Sequence, residues 1–253
     1  MISIVMAYYN RLTQLRFTLQ TIANSAYKDV EVVIVDDFSD AENSLDSITQ
    51  EFPQLQFNII RMRDCVTKKD YCNPCIPYNV GLRASCGDMI VIQNPECCHI
   101  GDVLDYVASN LTDHDYLSFH CWACTKQDVA ILHQEGSIPT VSTSKKARWY
   151  NHEIERPVAF HFCNAITRNN LIKVNGFDER YATGYNWDDA EILYRIRQVC
   201  NVKFVADPFV IHQYHHKSYG HPDNIEPNQS NKDLYFSITT NGTVRAPNKE
   251  SIK

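Results

Sequence analysis

The 253-residue chain has no run of basic residues longer than a pair, as at Lys68-Lys69 and Lys145-Lys146, and its formal net charge is −6. Binding to a phosphate backbone normally leaves a basic stripe on the sequence, so nucleic acid is excluded as the main partner. An acidic protein can still hold an anionic ligand if a metal supplies positive charge locally. No window approaches the roughly eighteen uninterrupted apolar residues of a membrane span, and none is expected. The opening MISIVMAYYN lacks the cationic start and long apolar run of a secretory leader, and Ile2 to Met6 reads instead as a core strand. The expected residence is therefore cytoplasmic or virion-internal, with reduced thiols, and the Asn-x-Ser/Thr matches at Asn110, Asn228 and Asn241 are read as chance. No internal repeat is found, which sets aside solenoids and propellers.

What is present is 44% hydrophobic residue content, enough for one large domain with a tail, and ten cysteines. Cys72/Cys75 and Cys121/Cys124 have the spacing of zinc half-sites, so a zinc-stapled interaction domain is one reading of the chain. Cys65, Cys86, Cys97, Cys98, Cys163 and Cys200 are expected as small core residues.

Apolar runs predict strands at Ile2–Ala7, Val30–Val35, Phe57–Met62 and Met89–Gln93. Helical periodicity predicts helices at Arg11–Ala23, about Ala41–Phe52 and Pro77–Ser85. Strands that are short, apolar on both faces and separated by helices imply an α/β fold with a mostly parallel central sheet. Further on, Ile100–Ser109, Cys124–His133, Asn169–Val174 and Asp188–Cys200 read as helices, Phe162–Thr167 and Val202–Ala206 as strands, and Gln134–Ser144 as a loop. Residues 1–216 form the domain. Lys217–Lys253 is polar and without period, and is expected as a tail lying on the domain or partly disordered.

In parallel sheets ligands bind beyond the carboxyl ends of the strands. Here those ends read Ala7-Tyr8-Tyr9-Asn10, Asp36-Asp37 and Asn94-Pro95-Glu96, all polar where the apolar run stops. Asn-Pro is also an ordinary turn starter, so the third edge alone could be a plain turn. The stretch GFDERYATGYNWDDAEILYRIR, residues 176–197, places Trp187-Asp188-Asp189 at a helix start. Acidic residues there favour the helix dipole, and one of them could equally face a cleft as a general base, with Trp187 and Tyr185 offering flat surfaces to a sugar ring.

The ordered series Ala-Tyr-Tyr-Asn, Asp-Asp-Phe-Ser-Asp, Pro-Tyr-Asn-Val-Gly-Leu, Gly-Asp-Met-Ile-Val-Ile-Gln-Asn-Pro-Glu and Gly-Phe-Asp-Glu followed by Trp-Asp-Asp resembles the inverting family-2 glycosyltransferases. Their GT-A fold binds nucleotide-diphospho-sugars, and the resemblance spans residues 1–216. It implies a metal-dependent enzyme that moves a sugar from a nucleotide-diphosphate sugar, UDP-sugar being favoured, to a glycan, protein or lipid acceptor. By the same resemblance Tyr9 flanks the base and Asp37 accepts from base or ribose, with Ala7, Asn10 and Asn79 completing the nucleotide contacts. Ala7 stands where many members carry Thr. Asn94 and Glu96 occupy the two acidic positions of the Asp-x-Asp motif, and since Asn94 carries no charge, Glu96 would be the main carboxylate of a Mn²⁺ or Mg²⁺ site. His212 stands where relatives place a metal-binding histidine, with His215 in reserve and His216 also near. Asp189 would be the general base and Asp188 would orient the acceptor or the sugar. Trp149, Tyr150 and His152, ahead of Phe160-His161-Phe162, line the acceptor side or pack as an aromatic core. Asn164 and Arg168 would touch the donor sugar. The losses at Asn94 and Ala7 keep a second reading open, a non-catalytic nucleotide-sugar or glycan-binding protein on the same fold.

Overall fold

The computed structural model describes residues 1–135, 148–215 and 225–253. Its first half is β1 (Ile2–Tyr8), α1 (Leu12–Ala23), β2 (Val30–Asp36), α2 (Ile48–Glu51), β3 (Gln56–Arg61), α3 (Met62–Cys65), α4 (Cys75–Ala84) and β4 (Met89–Gln93). β3, β2, β1 and β4 run parallel, side by side in that order. The reason is visible in β2, where Val32, Val33, Ile34 and Val35 are all fully buried: a strand covered on both faces must be apolar throughout. Helix α1 packs Leu15, Leu19 and Ile22 on one face of the sheet, and α4 packs Tyr78 and Leu82 on the other.

The second half is β5 (Cys97–Ile100), α5 (Val103–Asn110), β6 (Asp115–Ala123), α6 (Lys126–Glu135), β7 (Trp149–Asn151), β8 (Cys163–Thr167), α7 (Arg168–Val174), α8 (Asp188–Ile196), β9 (Asn201–His212) and α9 (Ile225–Thr240). These strands extend the sheet in the order β4-β8-β6-β9-β5, with β7 on β6. β4 with β8, β8 with β6 and β9 with β5 are antiparallel, while β6 with β9 is parallel. Among the described residues no helix is long and apolar enough to cross a membrane.

Several expectations are corrected. The helix read over 41–52 is broken into a 3-10 turn at Ala41–Asn43 and the single turn α2. Asn43 is drawn off to brace the end of β1: its carbonyl accepts from the Tyr8 hydroxyl at 2.8 Å and its side-chain oxygen from Leu12 N–H at 3.3 Å. Polar side chains competing in this way for backbone groups shorten helices. The helix expected from Ile100 starts at Val103, because Asp102 caps it by accepting Asp105 N–H at 3.1 Å, and Ile100 itself closes β5. Strand β6 went unread. Cys65 and Cys86 are exposed thiols rather than core residues. The loop expected over Gln134–Ser144 falls from residue 136 onward outside the described residues, as do residues 217–224 of the tail and His216. Residues 225–240 are helical: Leu234, Tyr235 and Ile238 of α9 join the cluster that holds Ile192, Leu193 and Ile196 of α8. Beyond α9, Ala246 N–H donates to Val174 O and Ile252 N–H to Asn175 Oδ1, and both side chains are buried.

Candidate active site

Among the described residues two groups bring three metal-capable side chains together, with ligand atoms within 4.8 Å of one another. The first lies beyond the ends of β4 and β9, the second at the start of α8 and in the segment leading into β8.

The first is Glu96, His212 and His215. Glu96 sits in the turn between β4 and β5, and His212 ends β9; pairing Cys97 with His212 across β5 and β9 sets the carboxylate beside the imidazole. Gln213 fixes the register, its N–H donating to Glu96 O at 3.0 Å and its side-chain amide to the same oxygen at 3.2 Å. Glu96 is 2% exposed. Its Oε1 lies 3.1 Å from His212 Nε2 and 3.3 Å from His215 Nε2, and accepts from Arg11 Nη1 at 2.8 Å. Burial pushes this carboxyl up, but the two histidine hydrogen bonds and the Arg11 charge outweigh burial and hold it well below the usual range. The other oxygen, Oε2, is buried and has no hydrogen-bond partner among the described residues. A buried carboxylate oxygen with no donor is costly, and a cation shared with the neighbouring imidazoles would satisfy it. One carboxylate and two imidazoles form a donor set that fits a divalent ion such as Mn²⁺ better than Mg²⁺, which prefers oxygen throughout.

The second group is His161, Asp188 and Asp189. Trp187, at φ 71°, turns the chain into α8 and leaves both carboxyls in its first turn. His161 N–H donates to Asp189 Oδ1 at 3.2 Å and its Nδ1 lies against the same oxygen. Burial alone would lower the His161 pKa, but the charges of Asp189 and Asp188 raise it above its ordinary value. Asp188 is 6% exposed and accepts from Asn73 Nδ2 at 2.9 Å. Burial first, and the Asp189 charge second, push its carboxyl up to about 6.

Tyr78 joins the two groups. Its hydroxyl donates to Asn94 Oδ1 at 2.9 Å and its ring meets His161 edge-on at 4.9 Å. Burial, then the charges of Glu96 and Asp189, keep this phenol well above its usual pKa. The segment Phe160–Phe162 runs between them as well, with His161 on Asp189 and the Phe162 ring 6.0 Å from His212. On the far side, Lys69 and Tyr71 donate to the two Asp37 oxygens at 2.6 and 2.7 Å, and Asn73, two residues on, reaches Asp188. Tyr9 is 52% exposed with Lys69 Nζ 5.2 Å from its ring centroid.

The sequence reading therefore places Glu96, His212, Asp188 and Asp189 in one region, and Tyr9 and Asp37 at the adjoining strand ends. The remaining candidate residues have other partners within the chain. Asn10, at φ 50°, locks the turn after β1: its amide donates to Asp40 Oδ2 and accepts Asp40 N–H, so the side chain is spent on the chain itself. Asn79 is wholly buried as a strut, bonded at both ends of its amide to Phe177 and also to Glu179. Ala7 lies within β1 opposite Val35, its side chain against the cluster under α4. The Asn94 oxygen is engaged by Tyr78, and the third metal-capable side chain is His215 instead. Trp149 is 6% exposed and packed on Trp122, His152 and His120. Trp187 packs against Tyr235 and Phe236 of α9, at 5.1 and 6.0 Å, and Tyr185 lies beside Cys72. Asn164 holds the carbonyls of Ala159 and Phe160, supporting the segment that presents His161. Arg168 binds the carbonyls of Ser85, Gly87 and Lys253. Cys75, Cys121 and Cys124 belong to three separate apolar clusters, and among the described residues no cysteine joins a metal-capable group. Arg11 and the pairing of His161 with Asp189 were missed, since neither carries a spacing signal.

The family model described as glycosyl transferase family 2 matches residues 3–177. No curated protein sequence matches the chain. Among solved structures, S. aureus TarS aligns with a TM-score of 0.67 at 15% identity, over 95% of this chain and 40% of TarS. The mannosyltransferase PcManGT from Pyrobaculum calidifontis, in complex with GDP-Man and Mn²⁺, aligns at 0.61 and 15% identity, over 99% of this chain and 65% of its own. GalNAc-T7 with UDP, GalNAc and Mn²⁺ aligns at 0.64 and 14% identity, over 94% and 48%. The chain thus spans 40% to 65% of these three proteins, and at such identities the likeness is one of fold.

Proposed function

The chain belongs to glycosyl transferase family 2, and from that premise we propose that it is a metal-dependent, inverting glycosyltransferase using a nucleoside-diphosphate sugar, with UDP-sugar as donor. The observation that carries the reading is the pairing of Glu96, His212 and His215 with Asp188, Asp189 and His161 across a single tyrosine, Tyr78. Solved structures of the same fold that contain UDP or GDP-Man together with Mn²⁺ support the choice of donor class and metal.

The chemistry asked of the site is a single displacement. The acceptor oxygen attacks the anomeric carbon, the bond from that carbon to the diphosphate oxygen breaks, and the nucleoside diphosphate departs with the electron pair. The acceptor proton passes to an Asp189 oxygen. Glu96, His212 and His215 would hold a divalent ion, which would supply positive charge to the leaving diphosphate. His161 fixes the Asp189 carboxylate, and Asn73 orients Asp188 toward the reacting alcohol or the sugar hydroxyls. Tyr9 and Asp37 take the base and ribose. Trp187, backed by Tyr235 and Phe236, and Tyr185 give flat surfaces for a sugar.

The test is release of UDP from a panel of UDP-sugars with Mn²⁺ or EDTA, in wild type and Asp189→Asn. Removing a general base costs on the order of 10²–10⁴-fold in rate. The expected result is turnover that needs Mn²⁺ and is lost to that extent in the variant, with UDP affinity held within about twofold. Metal-independent turnover, or UDP affinity falling as far as the rate, would overturn the assignment.

A further inference from the structure

Around Glu96 the donors are unevenly shared. Arg11 Nη1, His212 Nε2 and His215 Nε2 all crowd Oε1, while Oε2 has none among the described residues. Arg11 differs from the two imidazoles in one respect that decides its fate: it is permanently cationic. A divalent ion and a guanidinium on the same carboxylate repel each other, whereas a neutral imidazole can turn its lone pair to the ion. The side chain of Arg11 is also 30% exposed against 2% for Glu96, so it reaches the carboxylate from the solvent edge of the cleft.

Its backbone, by contrast, is fixed. Arg11 follows Asn10, which is bonded to Ser39 and Asp40, and precedes Leu12, whose N–H is taken by Asn43. A rigid anchor at the tip of β1 with a long partly solvated arm is suited to moving a charge by a few ångströms. Guanidinium groups pair with phosphate oxygens in the same two-pronged manner as with carboxylates. Since Asn94 is neutral and Glu96 is the one carboxylate among Glu96, His212 and His215, the negative charge of a diphosphate exceeds what one divalent ion leaves over.

Building on the proposed function, we propose that Arg11 is a second cationic ligand for the donor's diphosphate, resting on Glu96 until a divalent ion claims that carboxylate and then turning to the phosphate oxygens. Arg11 thus opposes the metal when no nucleotide is bound and supports the nucleotide once it is. No purely structural role produces effects of opposite sign.

Calorimetric titration of wild type, Arg11→Met and Arg11→Lys tests this, with Mn²⁺ alone, with UDP in EDTA, and with UDP at saturating Mn²⁺. Melting curves confirm that each variant is folded. Removing one unit charge a few ångströms away changes affinity by roughly tenfold at an intermediate dielectric. Arg11→Met is expected to bind Mn²⁺ more tightly and, at saturating Mn²⁺, UDP more weakly, each by about that factor, with UDP affinity in EDTA unchanged and Arg11→Lys between it and wild type. Mn²⁺ and UDP affinities that fall together, or that both stay unchanged, would overturn the proposal while leaving the glycosyltransferase reading intact. A wild type that binds no Mn²⁺ would overturn the metal assignment itself, and the exchange with it.

Discussion

Asp188→Asn should stabilise the protein, and only above a definable pH. The Asp188 carboxyl is pushed up to about 6 from an ordinary 3.8, chiefly by burial and then by the Asp189 charge. A carboxyl whose pKa is raised on folding holds its proton more tightly in the native state. Its contribution is most favourable below pH 3.8 and is lost as pH rises through about 6. The interval corresponds to ~3 kcal/mol of native-state cost at neutral pH, of which ~1 kcal/mol has already appeared at about pH 4.5. Asparagine removes that cost and keeps an oxygen to accept from Asn73 Nδ2. Urea unfolding in EDTA therefore should show Asp188→Asn more stable than wild type, by about 2 kcal/mol more at pH 7.5 than at pH 4.5. The variant-minus-wild-type difference cancels every other titrating group that the substitution does not touch. A difference that stays flat with pH, or one that favours the wild type at neutral pH, would refute the reasoning.

His161→Gln removes an imidazole, raised in pKa by Asp189 and Asp188, that lies within 4.8 Å of both carboxylates; loss of its charge at an effective dielectric of about 20–40 lifts the acidic limb of the rate profile by roughly one to two and a half pH units. The profile is read as UDP release between pH 5 and 9, with Mn²⁺ affinity unchanged as the control. An unmoved limb would show that His161 only packs. Glu96→Gln should weaken Mn²⁺ binding by about 10–100-fold. Because the Glu96 carboxyl lies well below its usual range, protonation of that residue should not contribute to metal loss at pH 5. Calorimetry with Mn²⁺ alone decides it.

The residues that could be read from sequence are those whose signal is local. β1, β2 and β4 are continuous apolar runs that stop at polar residues, and their tips carry Tyr9, Asp37 and Glu96 as expected. Asp188 and Asp189 were legible because a helix start has its own residue signature. What stayed hidden depends on contacts between distant residues. Asn79 looks like a ligand-facing amide in a helix motif, yet its partner Phe177 is 98 positions away and absorbs it as a strut. Arg11 meets Glu96 85 positions on. β6 contains Ser118 and His120 in an otherwise apolar strand, and both are fully covered by neighbouring strands, so alternation misleads. Helix α9 lacks a strong apolar stripe and is held by a few anchors, among them Ile238 in the cluster under α8 and Asn231, which donates to the carbonyls of Tyr181 and Asn186. Composition alone therefore made it look like a tail.

The strap from Lys69 to Asn73 holds Asp37 at one end and Asp188 at the other. Under the proposed function a nucleotide that takes Asp37 would dislodge Lys69 and Tyr71, and Tyr71 lies two residues before Asn73, which holds the Asp188 carboxylate. Arrival of the donor would then be felt along these five residues at the seat proposed for the acceptor. Such wiring favours a fixed order of entry over independent filling, and by reciprocity an occupied acceptor seat would in turn alter the grip on the nucleotide.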